Sequence, residues 1–456
     1  MKQKLVTVLN WVFAAAVTVF LIGGWIYFSM GHTVETDRTV IRIWDWWNPA
    51  GSERLARFFE KVKADFEMRH PDIEVRFQFI PFGSQYVQKL MSAMAAGNAP
   101  DAFQCSIIWA SDLYDRGVIR DLNDFIADSP DVGPDAWFPI CMDYISRDGR
   151  IFGLPTSMDA SALIINTEMV REAGLDPSPY AIGSWEDFVE YTDRLTIRRD
   201  TGAVERAGYL LSVTGERFGV LLPWLAAQGR DFLTDDLRGT NAYTDESVSA
   251  MNFMYDLLHT HRVTFPPGME VQDQALFFER KAAIMHGGTW HGYHILQNAP
   301  GLEFIMTSFP PGPHGDSRAT VTWANMMMMP KGSAHPEETW KFLRYYCGLE
   351  NAINMLEILS RNSPRKDFYE TPEWKAAVAE YPFLETVPDI AAVGRTYPFR
   401  RFEEVNDAFH PYFQRALLGS VPIEDAMREG AAAAERALAG NWADRLLFGD
   451  NEGEVE

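Results

Sequence analysis

The chain is predicted to be an α/β protein, on three observations. Strand, helix, strand, helix and strand patterns succeed one another between residues 39 and 105, the order of a doubly wound parallel sheet. The length of 456 residues calls for two or three structural units. Hydrophobic residues make up 47% and charged residues 23%, so a core is available and wholesale disorder is excluded.

The elements follow in chain order. Leu5 to Met30 is an apolar run preceded by Lys2 and Lys4, the only charges before Glu35. A bilayer takes about 20 residues to cross and a signal h-region spans about 7–15, so residues 5–30 read as a membrane helix that keeps its lysines inside the cell. Ser29-Met30-Gly31 has the small-x-small form of a cleavage site, which gives release near Gly31 as the alternative. No Cys follows the run, so lipid attachment of the bacterial lipoprotein kind is excluded. Thr39 to Trp44 alternates as a strand, and Gly51-Ser52-Glu53 opens a helix to about Met68 with Leu55, Phe58, Phe59, Val62 and Phe66 at helical spacing. Ile73 to Phe79 is the second strand, Tyr86 to Ala96 a helix stopped by Gly97, and Ala102 to Cys105 the third strand. Short helices are expected at Ala110 to Arg116 and Leu122 to Ile126.

Asp148-Gly149 marks a hairpin turn, and Ala162 to Asn166 is a strand. Ser184 caps a helix to Leu195, with Asp187 completing the capping pattern. Helices are expected over Arg217 to Ala227, Asp245 to His261 and Gln272 to Glu279, and a strand over Ala282 to His286 that ends at Gly287-Gly288. Phe304 to Phe309 and Trp323 to Met329 are extended. Pro336 to Cys347, Glu350 to Leu359, Pro372 to Glu380, Val405 to Leu418 and Ile423 to Leu438 complete the helices, before an acidic tail over 449–456.

Composition bounds the function. Lys plus Arg number 41 and Asp plus Glu 63, a net charge of −22, so an electrostatic grip on nucleic acid is excluded and anionic ligands are disfavoured. Three Cys, with no CxxC, make neither a disulfide framework nor a zinc site. The Walker A, HExxH and GxSxG patterns are absent, so no ATPase, metalloprotease or α/β-hydrolase is expected, and no cofactor or metal is called for. Aromatic residues reach 13%, with 14 Trp, and flat aromatic faces suit the apolar faces of pyranose rings.

Several ordered segments carry a resemblance. They include Ile43-Trp44-Asp45-Trp46-Trp47, His70-Pro71-Asp72-Ile73, Ala95-Ala96-Gly97-Asn98-Ala99-Pro100-Asp101 and Asp148-Gly149-Arg150-Ile151-Phe152-Gly153-Leu154-Pro155. Further on are Ala173-Gly174-Leu175, Ser184-Trp185-Glu186-Asp187-Phe188, Phe278-Glu279-Arg280-Lys281-Ala282, Gly288-Thr289-Trp290 and Pro336-Glu337-Glu338-Thr339-Trp340. Together they resemble the extracellular solute-binding proteins of sugar ABC transporters, the family that includes maltodextrin-binding protein. The resemblance implies a two-lobed periplasmic-binding-protein fold, type II-like, with an inter-lobe ligand cleft. It implies lobe one over 37–157 plus 320–362 and lobe two over 158–319 plus 363–448, after a segment 1–36 of anchor and linker. The chain is expected to leave lobe one over Gly153 to Ala160, return over Arg318 to Met329 and leave again over Ser360 to Pro364. The implied function is capture of a carbohydrate, expected to be a neutral oligosaccharide, for ABC permease subunits at the periplasmic or extracellular face of the bacterial inner membrane. A membrane-anchored carbohydrate sensor or a carbohydrate-active enzyme are the alternatives.

Candidate ligand residues come from strand ends and crossings. Asp45, Trp46 and Trp47 stand at the carboxyl end of the first strand, where α/β sheets place ligands. Adjacent residues of a strand face opposite ways, so one of the two Trp is expected in the cleft. Gln104 and Ser106 end the third strand. Asp159 falls where the resemblance implies an acidic residue that bonds sugar hydroxyls. Trp290, after two glycines, resembles the stacking Trp of the family, and the neighbouring His286, His291 and His294 lack a zinc spacing. Trp224 shares a helix face with Gln228, either in the core or at the cleft wall. Trp323 begins the returning segment, and Arg361 at the last crossing has a fork of donors for hydroxyls.

Overall fold

The computed structural model describes residues 38–211, 218–267, 273–359, 361–397 and 400–440. The apolar run over 5–30 and the acidic tail lie outside these residues. Among the described residues no helix is long and apolar enough to cross a membrane.

Lobe one is built on three parallel strands. Strand β1 (Thr39–Asp45) lies between β2 (Ile73–Phe79) and β3 (Ala102–Ser106). The connecting helix Glu53–Arg69 starts where the Ser52 hydroxyl accepts the Leu55 N–H at 3.3 Å. Such a cap is worth about 1 kcal/mol. The helix buries Phe58, Phe59, Val62 and Phe66, the apolar stripe read from the sequence. Parallel pairing brings the carboxyl ends of all three strands to one edge, and that edge faces the second lobe. A hairpin of β4 (Ser146–Arg147) and β5 (Arg150–Ile151) turns on Asp148 and Gly149, with φ of 52° and 76°. Both residues are left-handed, as a type I′ turn requires.

Strand β6 (Leu154–Asn166) then crosses between the lobes, with every residue buried. Lobe two adds β7 (Ile197–Arg198), β8 (Val204–Leu210), β9 (Ala282–Gly288) and β10 (Phe304–Thr307). Strand β11 (Thr320–Met328) crosses back antiparallel to β6, and β12 (Gly394–Thr396) pairs with its first residues. The first half of β6 pairs with β11, and its second half with β9 and β10. The far half of β11 reaches β3. One path, β2-β1-β3-β11-β6-β9-β8-β7, therefore runs through both lobes. This is the expected two-lobed α/β architecture, with β6 and β11 in the middle of the path.

Besides short elements that were not expected, among them β7, β12 and the helices Pro139–Ile145, Thr167–Glu172 and Val387–Ala392, the structure departs from the expected elements in three places that shape the lobes. Strand β8 was not predicted. Its alternation is broken by Gly208, whose added Cβ would stand 2.0 Å from the Thr192 carbonyl oxygen, so helix Trp185–Leu195 lies directly on the strand there. The helix expected over Arg217 to Ala227 is described from Phe218 onward as a 3₁₀ turn, Phe218–Val220, and a short helix, Leu222–Ala226. Pro223 has no N–H to continue the first into the second. The helix expected through Leu359 is α-helical to Asn354 and then widens to a π turn, Met355–Leu359. Such turns break regular side-chain spacing. This one delivers Arg361 to the cleft, with the Arg361 N–H on the Met355 carbonyl at 3.2 Å.

Candidate ligand-binding cleft

The first wall of the cleft is the turn after β1. Asp45 is fully buried and accepts the Trp47 N–H at 2.7 Å, and the Tyr346 hydroxyl donates to it at 3.4 Å. The Gln104 amide stands 2.6 and 3.0 Å from the two Asp45 carboxyl oxygens, where its nitrogen donates to an ionised Asp45 and its oxygen accepts from a protonated one. Asn48 accepts the Ala50 N–H at 2.9 Å and carries the chain on to the Ser52 cap. Trp46 and Trp47 leave this turn in different directions. Trp46 meets Phe82, Tyr86 and Trp109 edge-on, with centroids 5.4, 5.5 and 6.0 Å away. Trp47 lies under the Arg361 guanidinium at 5.4 Å.

Burial pushes the Asp45 carboxyl up to about 7, against its hydrogen bonds from Trp47 and Tyr346. The folded state thus holds a proton that a free carboxyl, near 3.8, releases earlier. Stability from this group is full at low pH and falls as pH rises from about 4 to about 7, by at most about 1.4 kcal/mol per pH unit. Asp45→Asn should remove that slope. Urea unfolding of both proteins between pH 4.5 and 7.5 checks it, and parallel curves would mean that Asp45 is charged throughout.

The second wall begins where β9 ends. A Cβ on Gly288 would fall 1.5 Å from the Trp290 ring, so the indole folds back over a residue that has to lack a side chain. Gly287 makes the same room for His291, whose Nδ1 accepts the Gly288 N–H at 3.0 Å. The glycines therefore admit protein rings. Burial pushes His291 down to about 3 and His286 to about 4, so both are neutral at physiological pH. Thr289 ties this loop to β6: its N–H donates to the Ala160 carbonyl at 3.0 Å, and its hydroxyl to Asp159 at 3.3 Å.

The crossing strands form the floor. Asp159 pairs with Trp323, Ser157 with Asn325, and Asn325 with Ser106. Directly paired residues share a sheet face, so these side chains lie together. Trp323 and Asn325 are the only part-exposed residues of β11. Trp323 meets Trp290 at 5.2 Å. Asp159 reaches the Arg361 guanidinium at 3.5 Å. Burial raises the Asp159 carboxyl above its ordinary range, opposed by Arg361 and Thr289. A cavity of about 180 Å³ remains between the lobes, lined by Trp47, Arg54, Trp290, Tyr293, His294 and Arg361 among others. Larger cavities of about 660 Å³ beside Trp185 and about 750 Å³ beside Trp340 lie on single lobes, away from the crossing strands.

The model of the family described as bacterial extracellular solute-binding protein matches residues 50–352. The chain belongs to that family. An arabinooligosaccharide-binding protein of Halalkalibacterium halodurans is 23% identical over 350 residues, covering 74% of this chain and 75% of the relative. The structure of the sugar-binding protein MalE from Xanthomonas citri superposes with a TM-score of 0.75 at 21% identity, over 91% of this chain and 100% of that one. An ABC substrate-binding protein from Listeria monocytogenes in complex with cycloalternan gives 0.74 at 21% identity, over 89% and 100%.

In this solute-binding protein Trp46 packs into the aromatic cluster of Phe82, Tyr86 and Trp109, and the other predicted residues fall into three groups. Trp47, Trp290 and Arg361 line one cavity, with Asp159 behind Arg361 and Trp323 beside Trp290. Asp45 and Gln104 are buried beneath that wall, and Ser106 is 7% exposed at its edge, so the first two position the Trp turn rather than face the cavity. Trp224 is elsewhere: it is 0% exposed among Trp185, Phe188, Tyr209, Phe253 and Phe309, which corrects the cleft-wall expectation. Arg54, Tyr293 and Gln297 were missed. The last two have a readable signal, since Trp290, Tyr293 and Gln297 recur at helical spacing along His291–Asn298. Among the described residues no group of three or more His, Cys, Asp or Glu side chains is arranged to hold a metal.

Proposed function

We propose that this solute-binding protein captures an oligosaccharide between its lobes, outside the bacterial inner membrane, and delivers it to the permease of an ABC transporter. The observation that carries the reading is the convergence of Trp47, Trp290 and Arg361, from three separate chain segments, on one inter-lobe cavity. Indole faces suit the C–H faces of sugar rings, and a guanidinium fork suits their hydroxyls. Relatives that bind arabino-oligosaccharides and cycloalternan agree with it. The proposed ligand contacts are Trp47, Asp159, Trp290, Trp323 and Arg361, with Trp46 extending the aromatic surface and Asp45, Gln104 and Ser106 in support. The lobes are proposed to be 37–157 with 320–362 and 158–319 with 363–448, tethered by a membrane helix over 5–30.

A thermal-shift screen against an oligosaccharide panel tests this. A ligand at 100 times its dissociation constant adds about 2.7 kcal/mol of stability. Closure by hinge rotation should lower the radius of gyration in small-angle scattering. A panel without any stabilising saccharide rejects the reading, and an unchanged scattering profile at saturation rejects closure. For the tether, a reporter fused after Glu456 should be active only as an exported protein, and cytoplasmic activity would reject it.

A further inference from the structure

The net charge of −22 leads one to expect an acidic cleft, yet the cavity lining is cationic. Its charged side chains are Arg54 and Arg361, and no carboxylate is among its described lining residues. Asp159, behind Arg361, compensates that guanidinium only in part. Its Oδ1 accepts the Thr289 hydroxyl, and its Oδ2 meets a single Arg361 nitrogen at 3.5 Å, the far limit of a hydrogen bond. The Arg361 guanidinium carbon stands over the Trp47 ring, 5.4 Å from its centroid, and a guanidinium has five N–H donors in a planar fork, of which Asp159 engages one nitrogen. Arg54, from the other lobe-one segment, is held by its Nε on the Ile358 carbonyl at 2.6 Å and faces the Tyr293 ring of lobe two at 5.9 Å. Both guanidiniums are thus positioned by the fold at the same small cavity.

Resting on the carbohydrate reading above, we propose that the ligand is an acidic saccharide, whose uronic acid carboxylate docks between Arg361 and Arg54. Guanidinium forks match a carboxylate in two parallel hydrogen bonds, and the aromatic surface of Trp47 and Trp290 takes the ring that carries it. The surroundings restrict where that group goes. Beyond Arg54 and Tyr293 the adjoining groove is lined by Glu357, Glu373 and Glu380. An anionic group is repelled there, so the carboxylate belongs at the Trp47–Arg361 end and the rest of the ligand that reaches the groove is neutral.

The test compares acids with their methyl esters. Full-length protein in a non-glycosidic detergent is titrated calorimetrically with oligogalacturonates, glucuronate-substituted xylo-oligosaccharides, their methyl esters and unsubstituted neutral oligosaccharides. The preferred acid should bind at least about tenfold more tightly than its ester, a margin that charge-assisted hydrogen bonds supply and that narrows as salt is raised. Arg361→Gln and Arg54→Gln, each checked for an unchanged melting temperature, should bring the acid-to-ester ratio toward one. An ester or neutral sugar that binds as tightly as the best acid overturns the proposal, as does a ratio that neither variant changes. Binding by no saccharide at all rejects the carbohydrate reading, and with it this one, and is a different result from neutral-sugar binding.

Discussion

Trp224→Ala should lower the free energy of unfolding by about 3–5 kcal/mol, the cost of emptying a large aromatic site in a core. Ligand affinity should stay the same. The indole is 0% exposed, and five aromatic rings stand within 4.8–6.1 Å of it. Trp185, Phe188 and Tyr209 come from helix Trp185–Leu195 and β8, and Phe253 comes from helix Asp245–His259, so one side chain joins three elements of lobe two. A folded protein is stable by only about 5–15 kcal/mol, and the loss is a large share of that. Urea unfolding and calorimetric titration of the same variant give both quantities. A small change in stability with weakened binding would instead make Trp224 a ligand contact.

Trp290→Ala should show the opposite pattern. The ring is half-buried, lines the inter-lobe cavity and touches Trp323 and His291 at 5.2 and 4.8 Å. Loss of stacking and of apolar burial against one sugar ring is worth about 1–3 kcal/mol. The dissociation constant should therefore rise about 5- to 150-fold, with a small fall in melting temperature. Gly288→Ala supplies a second approach to the same ring, because its Cβ would fall 1.5 Å from the indole and displace it. It should weaken binding in the same direction while the Trp290 side chain itself is kept. Unaltered affinity in Trp290→Ala with a large stability loss would make the ring a structural wedge between β9 and β11.

Local features were legible where neighbours in sequence decide the outcome. The stripe of Phe58, Phe59, Val62 and Phe66, the helix start at Gly51-Ser52-Glu53, the Ser184 cap and the Asp148-Gly149 turn each involve residues within a few positions of one another, and all appear as read. The strand ends that carry the site were readable for the same reason. Strand β8 was not, because Gly208 answers to helix Trp185–Leu195 and not to its own strand. Nor was the separation of Trp46 from Trp47, which is set by an aromatic cluster on one side and by Arg361 on the other.

By itself the sequence determined the α/β class and the ordered segments that carry the family resemblance, and it put Trp290, Arg361 and one of the pair Trp46 and Trp47 forward as cleft candidates. Only the tertiary structure decided that Asp45 and Gln104 lie beneath the site, that Trp224 belongs to the core, and that Arg54 joins Arg361 at the cavity. The physical reason is range. Helix periodicity, caps and turns are interactions over a few residues, whereas Arg361 meets Asp159 across 202 positions and Tyr346 meets Asp45 across 301. Which way a polar or aromatic side chain points there depends on partners delivered by other strands, and on whether burial leaves it any partner but those.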